Sequence, residues 1–147
     1  MKLRKKVEYW REIKELLDKI EVIVETICYP SEDLEKVKKA LLNVLEGEVE
    51  IKELYEGRKL LRVKGKGKEA ISKIFNGFRS RAVLAAVRKH LKEHTTNNEE
   101  TIFMLNKQAA YMNVMAIFEE GESALGGIKV TLRGKKMKTL IDWLTRF

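Results

Sequence analysis

The sequence is short of several residue types that would indicate particular functions. One cysteine, Cys28, is present among 147 residues, which excludes an internal disulfide and suits a reducing cytosol. Uncharged apolar runs are far shorter than a membrane span. The basic N-terminus is followed by an amphipathic segment with acidic residues, not by the apolar core of a signal peptide. We therefore expect a cytoplasmic protein without a membrane-spanning segment.

Residues that carry catalysis are scarce as well. The two histidines, His90 and His94, stand four residues apart on a predicted helix, but a zinc site needs further ligands. Nothing in the sequence places Cys28 or Glu93 beside them. No nucleophile elbow or acid–base pair is evident from the spacing of the remaining residues. We expect no catalytic residue, no metal and no cofactor, and we predict that the protein is not an enzyme.

Charge, by contrast, is abundant and uneven. The formal net charge is +8, from 30 lysines and arginines against 22 acidic residues. Residues 58–94 hold twelve basic and two acidic side chains, whereas residues 20–57 hold four basic and ten acidic ones. A concentrated basic surface attracts polyanions such as nucleic acid. The alternative is the solvated surface of a thermophilic protein, which the many lysines and glutamates and the single glutamine also indicate.

Hydrophobic spacing predicts a mixture of helices and strands. Residues 1–19 are predicted as a helical extension, an amphipathic helix over Leu3 to Lys19 that packs on its own sheet or, through Trp10, on a partner. Residues 20–147 are predicted as a single domain. Further helices are expected at 34–45, at 68–91 with a break near Asn76-Gly77, and at 135–147. Strands are expected at 22–27, 49–55, 59–64, 101–105, 112–118 and 128–132.

Hairpins outnumber strand–helix–strand units in this order. That pattern predicts an α+β fold in two layers, with a twisted, mainly antiparallel sheet of about five or six strands and helices on one face. The N-terminal amphipathic helix is added to this core.

Basic residues cluster around one strand–helix connection. Glycines in the run Lys64-Gly65-Lys66-Gly67-Lys68 allow close backbone approach, and the helix start supplies N–H groups to an anion, although the Gly-Lys-Ser/Thr of a P-loop is absent. An ordinary flexible connection is the alternative. We predict phosphate contacts at Arg62 and the lysines of this run, and along the following helix at Arg79, Arg81 and Arg88. The three arginines would form a basic stripe along this helix, which Arg62 and Lys64 could join. The alternative is that the stripe is only a solvated face of the helix.

A second polar group interrupts the apolar segments further along the chain. Asn106, Lys107 and Gln108 stand between a predicted strand and two alanines, and Gln108 is the single glutamine. Lysine can bind a phosphate, and the two amides can pair with base edges or with the 2′-hydroxyl of RNA. Alternatively, the amides satisfy backbone groups in a tight connection.

The run Phe103 to Ala110 closely resembles a motif of a small archaeal family of predicted RNA-binding proteins, which is related to a predicted exosome-associated component. Further similar segments follow the family's order, at 30–33, 122–128 and 140–144, so the resemblance covers about Glu21 to Trp143. Ala124 and Gly127 replace two prolines of the family pattern. The resemblance implies a fold like that of the fifth protein of the large ribosomal subunit. It also implies RNA as a partner, with Asn106, Lys107 and Gln108 as the corresponding positions.

These observations predict a non-catalytic RNA-binding protein that uses a basic face. Tyr55 and Tyr111 are the only aromatic residues placed for base stacking, so structured RNA is favoured over sequence-specific reading of single strands. The alternative is a protein-interaction module. In that case the acidic segment and the N-terminal helix form a homodimer, or the protein docks on a larger RNA-processing or ribosomal assembly.

Overall fold

The computed structural model describes residues 2–79, 84–118 and 124–146. Its sheet has six strands, and every pairing between them is antiparallel. The strands are β1 (Glu21–Cys28), β2 (Glu50–Glu53), β3 (Lys59–Lys66), β4 (Thr95–Thr96), β5 (Glu100–Leu105) and β6 (Ile128–Arg133). Their order across the sheet is β2-β3-β1-β6-β5-β4, so β1 and β6 lie at the centre and β2 forms one edge.

Helices connect and cover these strands. They are α1 (Lys2–Lys19), α2 (Leu34–Val44), α3 (Lys68–Arg79), α4 (Leu84–Glu93), α5 (Lys107–Tyr111) and α6 (Met137–Leu144), with a short 3-10 turn at Tyr55–Gly57. Asp33 caps α2 by accepting hydrogen bonds from the backbone N–H groups of Glu35 and Lys36. The N-terminal dipole of α2 therefore meets a carboxylate directly.

Buried and more exposed residues alternate along the strands, so helices cover one face of the sheet and not the other. Val22 and Val24 of β1 are buried with Val63 of β3 and Val130 of β6, and the helices pack on this side. Residues between them, such as Ile23, point to the opposite side, which no described helix covers. We call that uncovered surface the open face. The predicted α+β class, the antiparallel sheet and the placement of helices on one face are confirmed.

One predicted strand differs from the structure. The strand expected at 112–118 is wrong: Asn113 has a left-handed φ of 62°, and the segment pairs with the sheet through one bridge between Leu105 and Ile117. The helix expected after Gly67 is seen as α3 and α4, and residues 80–83 between them lie outside the described ranges. Asn76-Gly77 does not break it. Gly77 instead admits Met115, whose side chain occupies the space that a Cβ at position 77 would need.

The N-terminal helix is buried along half of its length. Ile13 and Leu17 are in the hydrophobic core, and α1 packs against α3 and α6. Leu3, Val7 and Trp10 continue the same apolar stripe but remain exposed. None of the helices in the described ranges is long and apolar enough to cross a membrane.

Candidate nucleic-acid interface

The open face carries basic side chains on two strands that flank β1. Strand register aligns them in three rows, which are Arg62–Glu25–Lys129, Lys64–Ile23–Thr131 and Lys66–Glu21–Arg133. Neighbouring rows are about 7 Å apart, and β3 and β6 lie about 10 Å apart. We call Arg62, Lys64, Lys66, Lys129 and Arg133 the open-face cations. They form two parallel lines of positive charge with a shallow groove of about 270 Å³ along part of the surface between them.

Carboxylates neutralise part of this charge. Glu25 accepts a hydrogen bond from Nε of Arg62 at 2.9 Å, and its carboxylate also lies 2.9 Å from Nη2 of Arg62 and 3.9 Å from Nζ of Lys129. Glu100 binds Arg133 at 2.6 Å, and this hydrogen bond raises the pKa of Arg133. Within the described residues, no side-chain hydrogen bond or ion pair engages Lys64 or Lys66, so their ammonium groups remain free to bind an anion.

The glycine-containing connection extends this surface around the end of the sheet. Lys66 ends β3 and Lys68 begins α3, as predicted for a strand–helix connection. Gly67 between them has φ +87° and donates its N–H to the carbonyl of Ile20 at 2.8 Å. That left-handed conformation explains the glycine, because a side chain there would be strained. Lys68 is exposed and, within the described part of the chain, makes no ion pair.

Arg79 and Arg88, two of the arginines predicted on the helix, lie on the other side of the sheet. Arg79 donates to the carbonyls of Leu144 at 2.7 Å and Arg146 at 2.9 Å, and so closes the C-terminal end of α6. Burial, and then the nearby Arg146 charge, lower the pKa of Arg79. Arg88 donates to the hydroxyl and the carbonyl of Thr145. Both guanidinium groups are thus used within the fold.

The expected union of Arg62 and Lys64 with the helical stripe is therefore wrong. Alternation along β3 directs these two side chains to the open face, whereas α3 and α4 cover the opposite face. Arg81, the remaining predicted member of the stripe, lies outside the described residues. RNA contacts at Arg79 and Arg88 stay predictions, but such contacts would compete with the C-terminal carbonyls of α6.

The polar run at 106–108 has three different environments. Asn106 is the N-cap of α5, and its Oδ1 accepts the N–H of Ala109 at 2.8 Å. Lys107 is 8% exposed, and its ammonium group contacts the Glu32 carboxylate and the carbonyls of Ile27 and Leu125, each at 2.9 Å. These contacts use all three donors of the ammonium group. Asn106 therefore fits the alternative in which it satisfies backbone groups, and the buried Lys107 joins β1 to the loop before β6.

Gln108 alone of the three points outward. It is exposed and lines a groove of about 390 Å³ between α2 and α5, together with Val37, Tyr111 and Met112. Asn43 of α2 holds α5 in place by donating to the carbonyls of residues 110 and 111. The run thus anchors a short helix whose outer surface presents one amide side chain.

The structure assigns no chemical role to the cysteine or the histidines. Burial raises the pKa of the Cys28 thiol, and the Glu32 carboxylate raises it further. The rings of His90 and His94 stack with centroids 4.2 Å apart. Within the ranges that the structure describes, no group of three His, Cys, Asp or Glu side chains is arranged to hold a metal ion.

Sequence reasoning did not single out Lys129 and Arg133 as part of the surface. Lys129 and Thr131 alternate in the strand predicted at 128–132, and Arg133 follows that strand directly. Their placement depends on the pairing of β6 with β1, which joins residues more than 100 positions apart along the chain. No local pattern indicates that pairing.

Comparison with known proteins places the chain in a family. A family model described as RNA binding matches residues 21–134. A UPF0201 protein of Thermococcus kodakarensis is 38% identical over 133 residues, covering 90% of this chain and 92% of the relative. One from Sulfurisphaera tokodaii is 39% identical and covers 84% and 86%.

Solved structures agree with this result. The crystal structure of a UPF0201 protein from Methanococcus jannaschii superimposes with a TM-score of 0.77 at 29% identity, covering 86% of this chain and 93% of that one. A structure of the Methanothermobacter thermautotrophicus protein Mth689 gives a TM-score of 0.63 at 25% identity over 86% of this chain and 96% of that one. The chain therefore belongs to the archaeal UPF0201 family, whose family model carries the description RNA binding.

Proposed function

We propose that this protein binds RNA across the open face of its sheet. The observation that carries the proposal is the pair of basic lines on β3 and β6, on the one face of the sheet that no described helix covers. Lys64 and Lys66 are the central contacts because no described residue forms an ion pair with either of them. Lys68 continues the line at the start of α3.

The side chains of the open face favour recognition of the RNA backbone. Among the described residues, its strands present no aromatic ring: between the charged rows lie Ile23, Thr131 and Ile102. Proteins that read single strands from a sheet stack bases on aromatic side chains. Aliphatic residues flanked by cations instead suit phosphates and sugars at the fixed spacing of a structured RNA.

The proposal includes no catalytic step. The buried Cys28 thiol, with its raised pKa, is a poor nucleophile. The carboxylates at the centre of the open face are tied to cations, as Glu25 is to Arg62. We infer a binding protein that acts within the cytoplasm. Association with an exosome-like or ribosomal assembly, and a likeness to the fifth protein of the large ribosomal subunit, stay predictions.

A salt series tests the proposal. RNA affinity is measured for the wild type and for Lys64→Ala/Lys66→Ala, using a hairpin and an unstructured strand of equal length. The control is Lys36→Ala/Lys89→Ala, which removes the same charge from exposed positions on α2 and α4. Each phosphate contact contributes roughly 0.7–0.9 to the log–log salt slope, so the open-face variant should lose about 1.6 units and the control close to none.

Comparing the two RNAs tests separately whether the protein prefers structured RNA to a single strand. Tighter binding of the hairpin supports recognition of a structured backbone, and equal or tighter binding of the unstructured strand contradicts it. An unchanged slope in Lys64→Ala/Lys66→Ala, with a reduced slope in the control, would move the interface to the helix layer.

A further inference from the structure

Exposed apolar side chains are concentrated in two patches of opposite charge. Six large hydrophobic residues are exposed among the described ones, and five of them fall into these patches. Leu3, Val7 and Trp10 lie on α1, and Ile51 and Tyr55 lie on or beside the edge strand β2. Monomeric proteins seldom leave such groups uncovered unless they form an interaction site.

The patch on α1 is basic. Leu3, Val7 and Trp10 are three or four residues apart and so share one helical face, and Lys6 lies on the same face one turn before Trp10. The guanidinium of Arg146 stacks on the Trp10 ring, with 4.7 Å from its Cζ to the ring centroid. Residues 1–7 contain four basic and no acidic residues. We call Leu3, Lys6, Val7, Trp10 and Arg146 the α1 patch.

The patch at β2 is acidic. All four residues of β2 are exposed, and the strand pairs only with β3, so the backbone groups along its outer side are unpaired by the described strands. Residues 46–57 contain five glutamates and one lysine. Glu48 and Glu50 make no ion pair with any other residue that the structure describes. Alternation along β2 directs Ile51, paired with Leu61, to the helix side and Glu50, paired with Arg62, to the open face, so the exposed groups surround the edge of the sheet. We call Glu48, Glu50, Ile51 and Tyr55 the β2 patch.

The two patches do not cover each other within one molecule. Leu3 at the start of α1 is 76% exposed, and Tyr55 after β2 is 75% exposed. Each patch combines apolar residues with charges of one sign, and the signs are opposite, which is the pattern of two surfaces that bind each other.

We propose that the protein associates with a second copy of itself, the α1 patch of one molecule binding the β2 patch of another. Apolar side chains supply the contact, and the lysines and glutamates determine which surfaces meet. The contact is heterologous, since two different patches meet. It occupies the β2 edge of the sheet, where Glu50 lies beside Arg62, and does not involve Lys64 and Lys66, the central contacts of the proposed RNA binding.

Charge reversal tests this pairing. Lys5→Glu/Lys6→Glu brings the net charge of residues 1–7 from +4 to zero, and Glu48→Lys/Glu50→Lys brings that of residues 46–57 from −4 to zero. Each variant alone then brings like charges together at the substituted positions, whereas in a mixture the substituted positions of the two variants carry opposite charges. Sedimentation velocity on nuclease-treated protein should show a concentration-dependent dimer or larger species for the wild type. The apparent Kd should rise at least 10-fold for each variant and return towards the wild-type value on mixing.

An apolar variant checks the same surface without changing the lysines. Leu3→Glu should weaken association, and its circular dichroism spectrum should match that of the wild type because Leu3 is exposed. The proposal is overturned if the wild type stays monomeric at millimolar concentration, or if the mixed charge variants fail to associate. Loss of RNA affinity in Lys5→Glu/Lys6→Glu, with a monomeric wild type, would assign the α1 patch to RNA instead.

Discussion

Basic side chains on the two faces of the sheet are used differently. On the helix side, Arg79 and Arg88 donate to carbonyls at the end of α6, and Lys107 is buried against Glu32. On the open face, Lys64 and Lys66 extend from β3 with no ion pair to any described residue. All five residues are positively charged, and all except Lys107 belong to one strongly basic stretch. Charge and sequence neighbourhood therefore do not tell these two uses apart.

The difference shows how charge in a sequence relates to a binding surface. Basic residues near helix ends are attracted to unpaired carbonyls, and a lysine beside a buried carboxylate is fixed by it. Lys64 and Lys66, which alternate on an uncovered strand face, form no such contact with a described residue, although their neighbours Arg62 and Arg133 bind Glu25 and Glu100. The basic residues of such a stretch therefore indicate a polyanion-binding surface only where they are not already paired with carbonyls or carboxylates within the fold. Three substitutions test the part of this comparison that concerns polar side chains used within the fold.

The largest effect is expected at Lys107. Lys107→Met should lower the free energy of unfolding by about 3 kcal/mol, because it leaves the Glu32 carboxylate buried without its cation and two carbonyls without their donor. Urea denaturation measures the change. Gln108→Met, at the neighbouring exposed position, should change stability by less than about 0.5 kcal/mol. Equal stability of the two variants would mean that the buried pair is dispensable.

An intermediate effect is expected at Arg79. Arg79→Met removes the donors that close the end of α6 and should cost about 2 kcal/mol, since hydrogen bonds from a charged donor are worth more than neutral ones. Lys89→Met, an exposed position on the same helix layer, provides the comparison in thermal or urea unfolding. If Arg79→Met instead weakened RNA binding with unchanged stability, the helix side would be the interface.

The smallest effect is expected at Asn106. Asn106→Ala removes the N-cap of α5 and should cost about 1 kcal/mol. Asn106→Asp keeps an oxygen acceptor and should stay within a few tenths of the wild type, because aspartate caps helices as well as asparagine does. A loss of RNA affinity in both variants at unchanged stability would support the predicted base contact over the capping role.

Several features of the fold follow from local sequence patterns. The apolar stripe of α1, the alternation along β1 and the glycine at position 67 each have a local physical cause, and the structure contains the predicted elements there. The strand expected at 112–118 failed because its apolar residues pack in an irregular segment. There Met115 fits against Gly77, and Phe118 is buried beside Gly127.

The candidate interface could be predicted only in part. Arg62, Lys64, Lys66 and Lys68 were evident as a basic run. The partners of Arg79 and Lys107 were not, because they lie 65 and 75 residues away along the chain. Contacts at such separation depend on how the elements pack, which a single sequence does not specify locally.

Lysine footprinting in the presence of RNA tests the central claim most directly. The protein is acetylated with and without a hairpin RNA, and modification at each exposed lysine is measured by mass spectrometry. Binding across the open face predicts protection of Lys64, Lys66 and Lys129, with unchanged reactivity at Lys36 and Lys89 on the helix layer. Protection of Lys36 and Lys89, with open-face lysines as reactive as in the free protein, would contradict the account.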